Sequence, residues 1–127
     1  MNRENFPQFD KYVCVGDIIG WTYEGFDFVA RIAEDYETKP SDSECYAPED
    51  VTPWENDEWF YCGVVLSVSL QGIELDHHAA SLWGIDCNFG PDNAYLAEVA
   101  QELEAEALTV AKAEVERIRE ILKGLTP

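Results

Sequence analysis

The chain has 127 residues, 46% of them hydrophobic and 13% aromatic, with 26 acidic side chains against eight Lys and Arg and a formal net charge of -18 at pH 7. That length fits one domain with a single core, and the apolar content separates the chain from acidic disordered tails, which lack the material to offset chain entropy. A charge of this size opposes compactness by self-repulsion, favours a basic partner, and disfavours direct contact with nucleic acid or an anionic membrane, where Lys and Arg must meet phosphates.

Residues 1–12, "MNRENFPQFDKY", are polar and aromatic and read as a loosely tied arm. They hold no apolar leader run, and no stretch of the chain approaches the roughly 20 apolar residues of a membrane span, so the expected location is the cytoplasm. Ile18 to Tyr23 and Phe26 to Ile32 are β-rich runs separated by Glu24-Gly25, a hairpin signature, with Phe26 and Phe28 on one face and Val29 on the other. Residues 34–58 hold ten acids against Lys39 alone, with three prolines, and read as a long acidic loop with at most a helical turn at "PEDV". "EWFYCGVVLSVSL" is the strongest strand and should be central in the sheet. Gln71-Gly72 turns it into "IELD", and "AASLWGIDC" follows as a short strand or packed turn whose Gly84 suggests a bulge. After "NFGPDN", with Asp92 or Asn93 as N-cap, residues 93–123 keep helical spacing through Leu96, Val99, Ala100, Leu103, Ala107, Val110 or Ala111, Val115, Ile118 and Ile121 or Leu122. The expected fold is α+β: one domain over 1–127, with an antiparallel sheet of about four strands packed against a long C-terminal helix or two consecutive helices.

Cys14, Cys45, Cys62 and Cys87 lie far apart with no C-x-x-C pair, and in a reducing cytosol they read as free thiols. No phosphate-binding glycine motif, G-x-S-x-G or H-E-x-x-H occurs, so no catalytic residue, metal or cofactor is expected. His77 and His78, beside Asp76 and Asp86, form the one candidate metal group, and Cys87 a candidate nucleophile. Adjacent residues in a strand point to opposite faces, which argues against both histidines serving one ion. They are expected to pack or cap, with Ala79, Ala80, Leu82 and Trp83 as a hydrophobic joint between sheet and helix.

The carboxylates carry the functional signal. No Lys or Arg occurs between Lys39 and Lys112, and the interval holds Glu49, Asp50, Glu55, Asp57 and Glu58 in the loop, Glu74 and Asp76 in the hairpin, and Glu98, Glu102 and Glu106 on the helix. The last three follow at i, i+4 with no cation among them, an arrangement mildly unfavourable to the helix itself. One reading is a solvated face; the other is a row of charges that imitates a nucleic-acid backbone and enters a protein groove lined with Lys and Arg. Trp54, within the acidic loop, is the aromatic anchor candidate for such a surface, whereas Trp59 and Tyr61 are expected in the core.

"DHHAASLWGIDCNF" followed by "DNAYLAEVAQEL" resembles small acidic accessory proteins of bacteriophages and plasmids. The overall plan is similar to the anti-CRISPR and antirestriction inhibitors that act as DNA mimics. That resemblance implies inhibition of a defence complex in the bacterial cytoplasm, with the basic DNA-binding groove of a CRISPR effector as partner. An immunity or adaptor protein for a basic nuclease is the alternative, and a small metal-dependent enzyme around His77 and His78 the third. The alanines Ala105, Ala107, Ala111 and Ala113 leave a homodimer open.

Overall fold

The computed structural model describes residues 5–40 and 47–125. In chain order they form β1 (Ile18–Tyr23), β2 (Phe26–Glu34), α1 (Pro48–Glu55), β3 (Phe60–Leu70), β4 (Ile73–Cys87) and α2 (Ala94–Lys123). The four strands make one antiparallel sheet in the order β1-β2-β3-β4, and α2 lies across one face of it in the expected α+β arrangement. Both hairpins close through two residues with positive φ, Glu24-Gly25 and Gln71-Gly72. That is the primed turn whose twist suits flanking strands, which fixes the register of both hairpins.

Alternation sorts the sheet into two faces. Phe26, Phe28, Ala30 and Ile32 of β2 and Cys62, Val64, Leu66 and Val68 of β3 point into the core beneath α2. The helix answers with Leu96, Ala97, Val99, Ala100, Ala107 and Ala111, all at most 1% exposed. The alanines let its backbone approach the sheet closely. On the opposite face Arg31 lies along the sheet and donates to Ser67 Oγ at 2.7 Å and to the His77 carbonyl at 2.9 Å.

Several expectations change. The N-terminal arm is tied down from its first described residues: Phe6 packs on Trp21 at 4.8 Å between centroids, and Val13 is buried. Asn88 holds the Val13 backbone at both ends (2.9 and 3.0 Å), and Asn93 donates to the Lys11 carbonyl at 2.6 Å. Asn93, the N-cap residue of the helix, is thus also a buried bracket, while the Asp92 carboxylate accepts from Ala94 N at 3.0 Å. "IELD" and "AASLWGIDC" are one 15-residue strand, in which Gly84 takes a φ of +73° beside a register shift. Residues 94–123 form one uninterrupted helix.

Cys62 and Cys87, expected as free thiols, are joined by a disulfide across β3 and β4, both fully buried. Phe60 pairs with Cys87 and Cys62 with Ile85, so the two cysteines are diagonal neighbours on one face, 6.5 Å apart at Cα. A pairing set by strand register leaves no spacing signal in the sequence. Cys14 is free and exposed, and Cys45 lies outside the described residues.

Of the expected joint between sheet and helix, Ala79 and Ala80 are buried, but Leu82 and Trp83 stand 42% and 45% exposed. Trp83 lies against Gly63, whose neighbours Cys62 and Val64 both point into the core, so the indole covers the face turned away from α2. A Cβ at Gly63 would sit 2.2 Å from its ring, which explains a glycine inside the strongest strand. Among the described residues no helix is long and apolar enough to cross a membrane.

Candidate functional site

The acidic segment between β2 and β3 forms a cleft at the end of the sheet where β3 begins. Pro48 opens α1, and Asp50 at its third position accepts from the Ala47 backbone N–H at 3.0 Å, one half of a capping box. The helix stops at Asn56, and Asp57 turns the chain with a φ of +60° while its N–H bonds the Trp54 carbonyl at 3.1 Å. Trp59 then anchors the unit: it is 3% exposed, donates its indole N–H to the Asp50 carbonyl at 2.9 Å, and meets Tyr61 and Phe89 edge-on. Trp59 and Tyr61 are therefore buried as expected, but on the face of the sheet turned away from α2 and its core.

Opposite α1 stands the segment that follows β2. Asp35 organises it, accepting from Glu37 N (3.0 Å), Thr38 N (3.1 Å), Thr38 Oγ1 (2.8 Å) and, across to β4, Gly84 N (2.9 Å). Partial burial works against its charged form, but the bonds from Thr38, Glu37 and Gly84 outweigh it and hold the carboxyl below the ordinary aspartate range. The Tyr36 hydroxyl bonds the Glu34 carboxylate, which raises the phenol above its usual range. Between this segment and α1 lies a cleft of about 590 Å³. Its acids are Glu34, Asp35, Glu55 and Asp57, its aromatic walls Tyr36, Trp54, Phe60 and Tyr61, and among the described residues no Lys or Arg lines it. A second hollow of about 490 Å³ lies on the other side of the same segment, bounded by Trp83.

The structure thus brings Trp54, Glu55 and Asp57 together with Glu34, Asp35 and Tyr36. Glu49 and Glu58 are exposed nearby on α1 and on the turn into β3, and half-buried Asp50 spends its carboxylate on the cap. Glu98, Glu102 and Glu106 are all exposed along α2. Glu74 and Asp76 sit elsewhere, on β4 opposite Ser69 and Val68 near the far end of β3. The Glu74 carboxylate pairs with His77 Nδ1 at 3.3 Å, and Asp76 accepts from His78 N at 2.8 Å. From Tyr61 in the cleft wall to Val68 and Ser69, which pair with Asp76 and Glu74, is seven to eight strand residues, about 25 Å.

His77 and His78 are exposed, and the His78 ring meets Ser81 Oγ at 2.9 Å. Among the described residues no three His, Cys, Asp or Glu side chains converge into a group that could hold a metal ion.

Sequence reasoning passed over Glu34, Asp35 and Tyr36 as members of a site, although an acid-aromatic-acid run beside a long loop was visible. It also passed over Glu104. Two residues from Glu102 and Glu106, this side chain faces the sheet instead, 8% exposed, and accepts the Trp21 indole N–H at 2.6 Å. It ties α2 to β1 and is no part of the outer row.

The site therefore belongs to an acidic α+β domain with an aromatic, anionic cleft beside one end of its sheet. Comparison with protein-family models, curated proteins and solved structures found no match for the chain.

Proposed function

We propose that this protein is a DNA-mimic inhibitor, which binds the basic duplex-binding groove of a defence complex, with a CRISPR effector as the target class. The observation that carries the reading is the cleft: four carboxylates and four aromatic rings line one concave site, with no Lys or Arg among the described residues that line it. Such a site suits a guanidinium or ammonium group, which gains charge-assisted hydrogen bonds from the acids and cation–π contact from the rings. Arg is the better fit, because its planar fork both stacks and binds carboxylate through two bonds. Glu98, Glu102 and Glu106 extend the anionic surface in steps of about 6 Å along α2, the rise of four helical residues. No bond making or breaking enters this reading: the acids act by occupying Lys and Arg side chains that would otherwise hold phosphates.

The test is competition between the protein and labelled duplex DNA for purified CRISPR effector complexes, at low and high salt. Displacement that weakens steeply with salt is the expected result. Binding to the effector with the DNA still in place would overturn mimicry. Binding to no effector, with salt-sensitive binding to a basic nuclease instead, would assign the chain as an immunity protein.

A further inference from the structure

Helix α2 is longer than the sheet it covers. Its last buried residue is Ala111, and Lys112 reaches Glu24 of the β1–β2 turn at 3.8 Å, which marks the rim of the sheet. Beyond Val115, the last residue packed on the core, the helix continues through Lys123 for about 12 Å at the usual helical rise. Apolar residues persist along it. Leu108, Ala111, Val115, Ile118, Leu122 and Leu125 follow at alternating spacings of three and four, so the stripe that packs on the sheet runs on unbroken into the overhang. Leu108 and Val115 still touch the core, whereas Ile121, Leu122 and Leu125 are 50%, 57% and 74% exposed.

Charge says what can approach this surface. From Lys112 to Leu125 there are four cations and three acids, a net +1; the rest of the chain carries four cations and 23 acids, a net charge of -19. The local charges are already matched within the helix, as Glu114–Arg117, Glu116–Arg119 and Glu120–Lys123. Two copies of so acidic a chain repel each other across most of their surfaces. Here they do not.

We infer that the α2 overhang pairs with the same segment of a second copy, antiparallel about a two-fold axis near Ile118. A parallel pair is sterically excluded: the seam is the face that upstream carries the sheet, so a parallel partner helix would run into it. In the antiparallel pair each helix end reaches the rim of the other sheet. That rim offers Tyr23 and Ile73, 37% and 65% exposed, to the partner's Leu122 and Leu125. The interface is isologous, with the same patch used by both copies. It places the two -19 bodies at opposite ends of a short helical bridge. Of the alanines considered for a dimer, Ala107 and Ala111 are fully buried under the sheet, so the contact uses the larger residues beyond them. The inference stands independently of the target proposed above.

Sedimentation equilibrium across a concentration series tests it. The mass should rise from the 14.4 kDa chain toward twice that value, and association should strengthen as salt screens the acidic bodies. Ile118→Glu with Leu125→Glu should leave the circular dichroism unchanged and weaken association at least tenfold. Monomer at every concentration and salt, or association indifferent to the double substitution, would overturn the proposal. Orientation is read by mixing Tyr23→Cys and Leu125→Cys chains under mild oxidation: cross-links between the two variants are expected, and Leu125→Cys chains linked to each other would overturn the antiparallel arrangement.

Discussion

Replacing Glu102 with Lys should stabilise the fold and weaken target binding, a combination that ordinary surface substitutions do not produce. Glu102 is exposed in the middle of α2, between Glu98 and Glu106 at i-4 and i+4. The substitution removes two like-charge pairs and creates two opposite-charge pairs, each change worth roughly 0.2–0.5 kcal/mol. The Glu98–Lys pair has the better orientation, so the net gain is about 1 kcal/mol at low salt. Unfolding entropy of about 2.1 cal/mol/K per residue converts that gain into a rise in Tm of about 4 °C for a chain of this length. On the binding side, a lost charge-assisted contact of roughly 1.5–3 kcal/mol weakens affinity about 10- to 100-fold. Thermal unfolding by circular dichroism and the DNA-displacement titration measure the two effects on one sample. A higher Tm with undiminished displacement would show that the α2 row is only a solvated face. An unchanged or lower Tm would refute the electrostatic reasoning itself.

Gly63→Ala drives a methyl group into the Trp83 ring and should cost about 1–3 kcal/mol, with tryptophan emission shifted red as the indole leaves the sheet; unaltered stability and emission would contradict the packing described. Cys87→Ala opens a cross-link between residues 25 apart and should lower stability by about 3 kcal/mol, and a non-reducing peptide map of the native chain should contain a Cys62–Cys87 linked fragment. Because the folded pKa of Asp35 lies below its unfolded value of about 3.9, its stabilising bonds are fully present above that pH and are lost as pH falls through the folded value. The amide resonances of Glu37, Thr38 and Gly84 should therefore move together only below about pH 4, and Asp35→Asn should abolish the transition; movement near neutral pH would refute the assignment.

Legibility in the sequence followed the range of the interactions. Both hairpins were visible because two-residue turns and alternation are local, and the residues that had to take positive φ, Glu24-Gly25 and Gln71-Gly72, sat between strong β runs. The helix was visible from its apolar spacing, though not the orientation of Glu104, which depends on a tryptophan 83 positions away. The Cys62–Cys87 bond and the Asn88 and Asn93 bracket on the N-terminal arm were hidden for the same reason: each is set by register or packing between distant segments. Of the site, Trp54, Glu55 and Asp57 could be picked from the density of acids and aromatics. Their partners Glu34, Asp35 and Tyr36 are brought opposite them only by the return of the chain around α1.

The distribution of charge along α2 calls for an intermolecular cause. The helix dipole favours acids in the first turn and cations in the last, and its effect fades within one turn of each end. The first turn of α2 holds no acid at all, and the acids begin at Glu98 and run through Glu106 in the interior, where the dipole offers them nothing. Lys123 fits the dipole; Lys112, eleven residues earlier, does not. Core packing explains only the residues that face the sheet, and Glu98, Glu102 and Glu106 face away from it. Two surfaces with opposite requirements account for the pattern: an anionic half that meets cations, and a nearly neutral half that meets a second copy. Their responses to salt must then differ in sign, since screening weakens the first contact and relieves repulsion in the second. Displacement of DNA and self-association measured over one salt series should move in opposite directions. If both weaken together, the helix does not carry two separate surfaces.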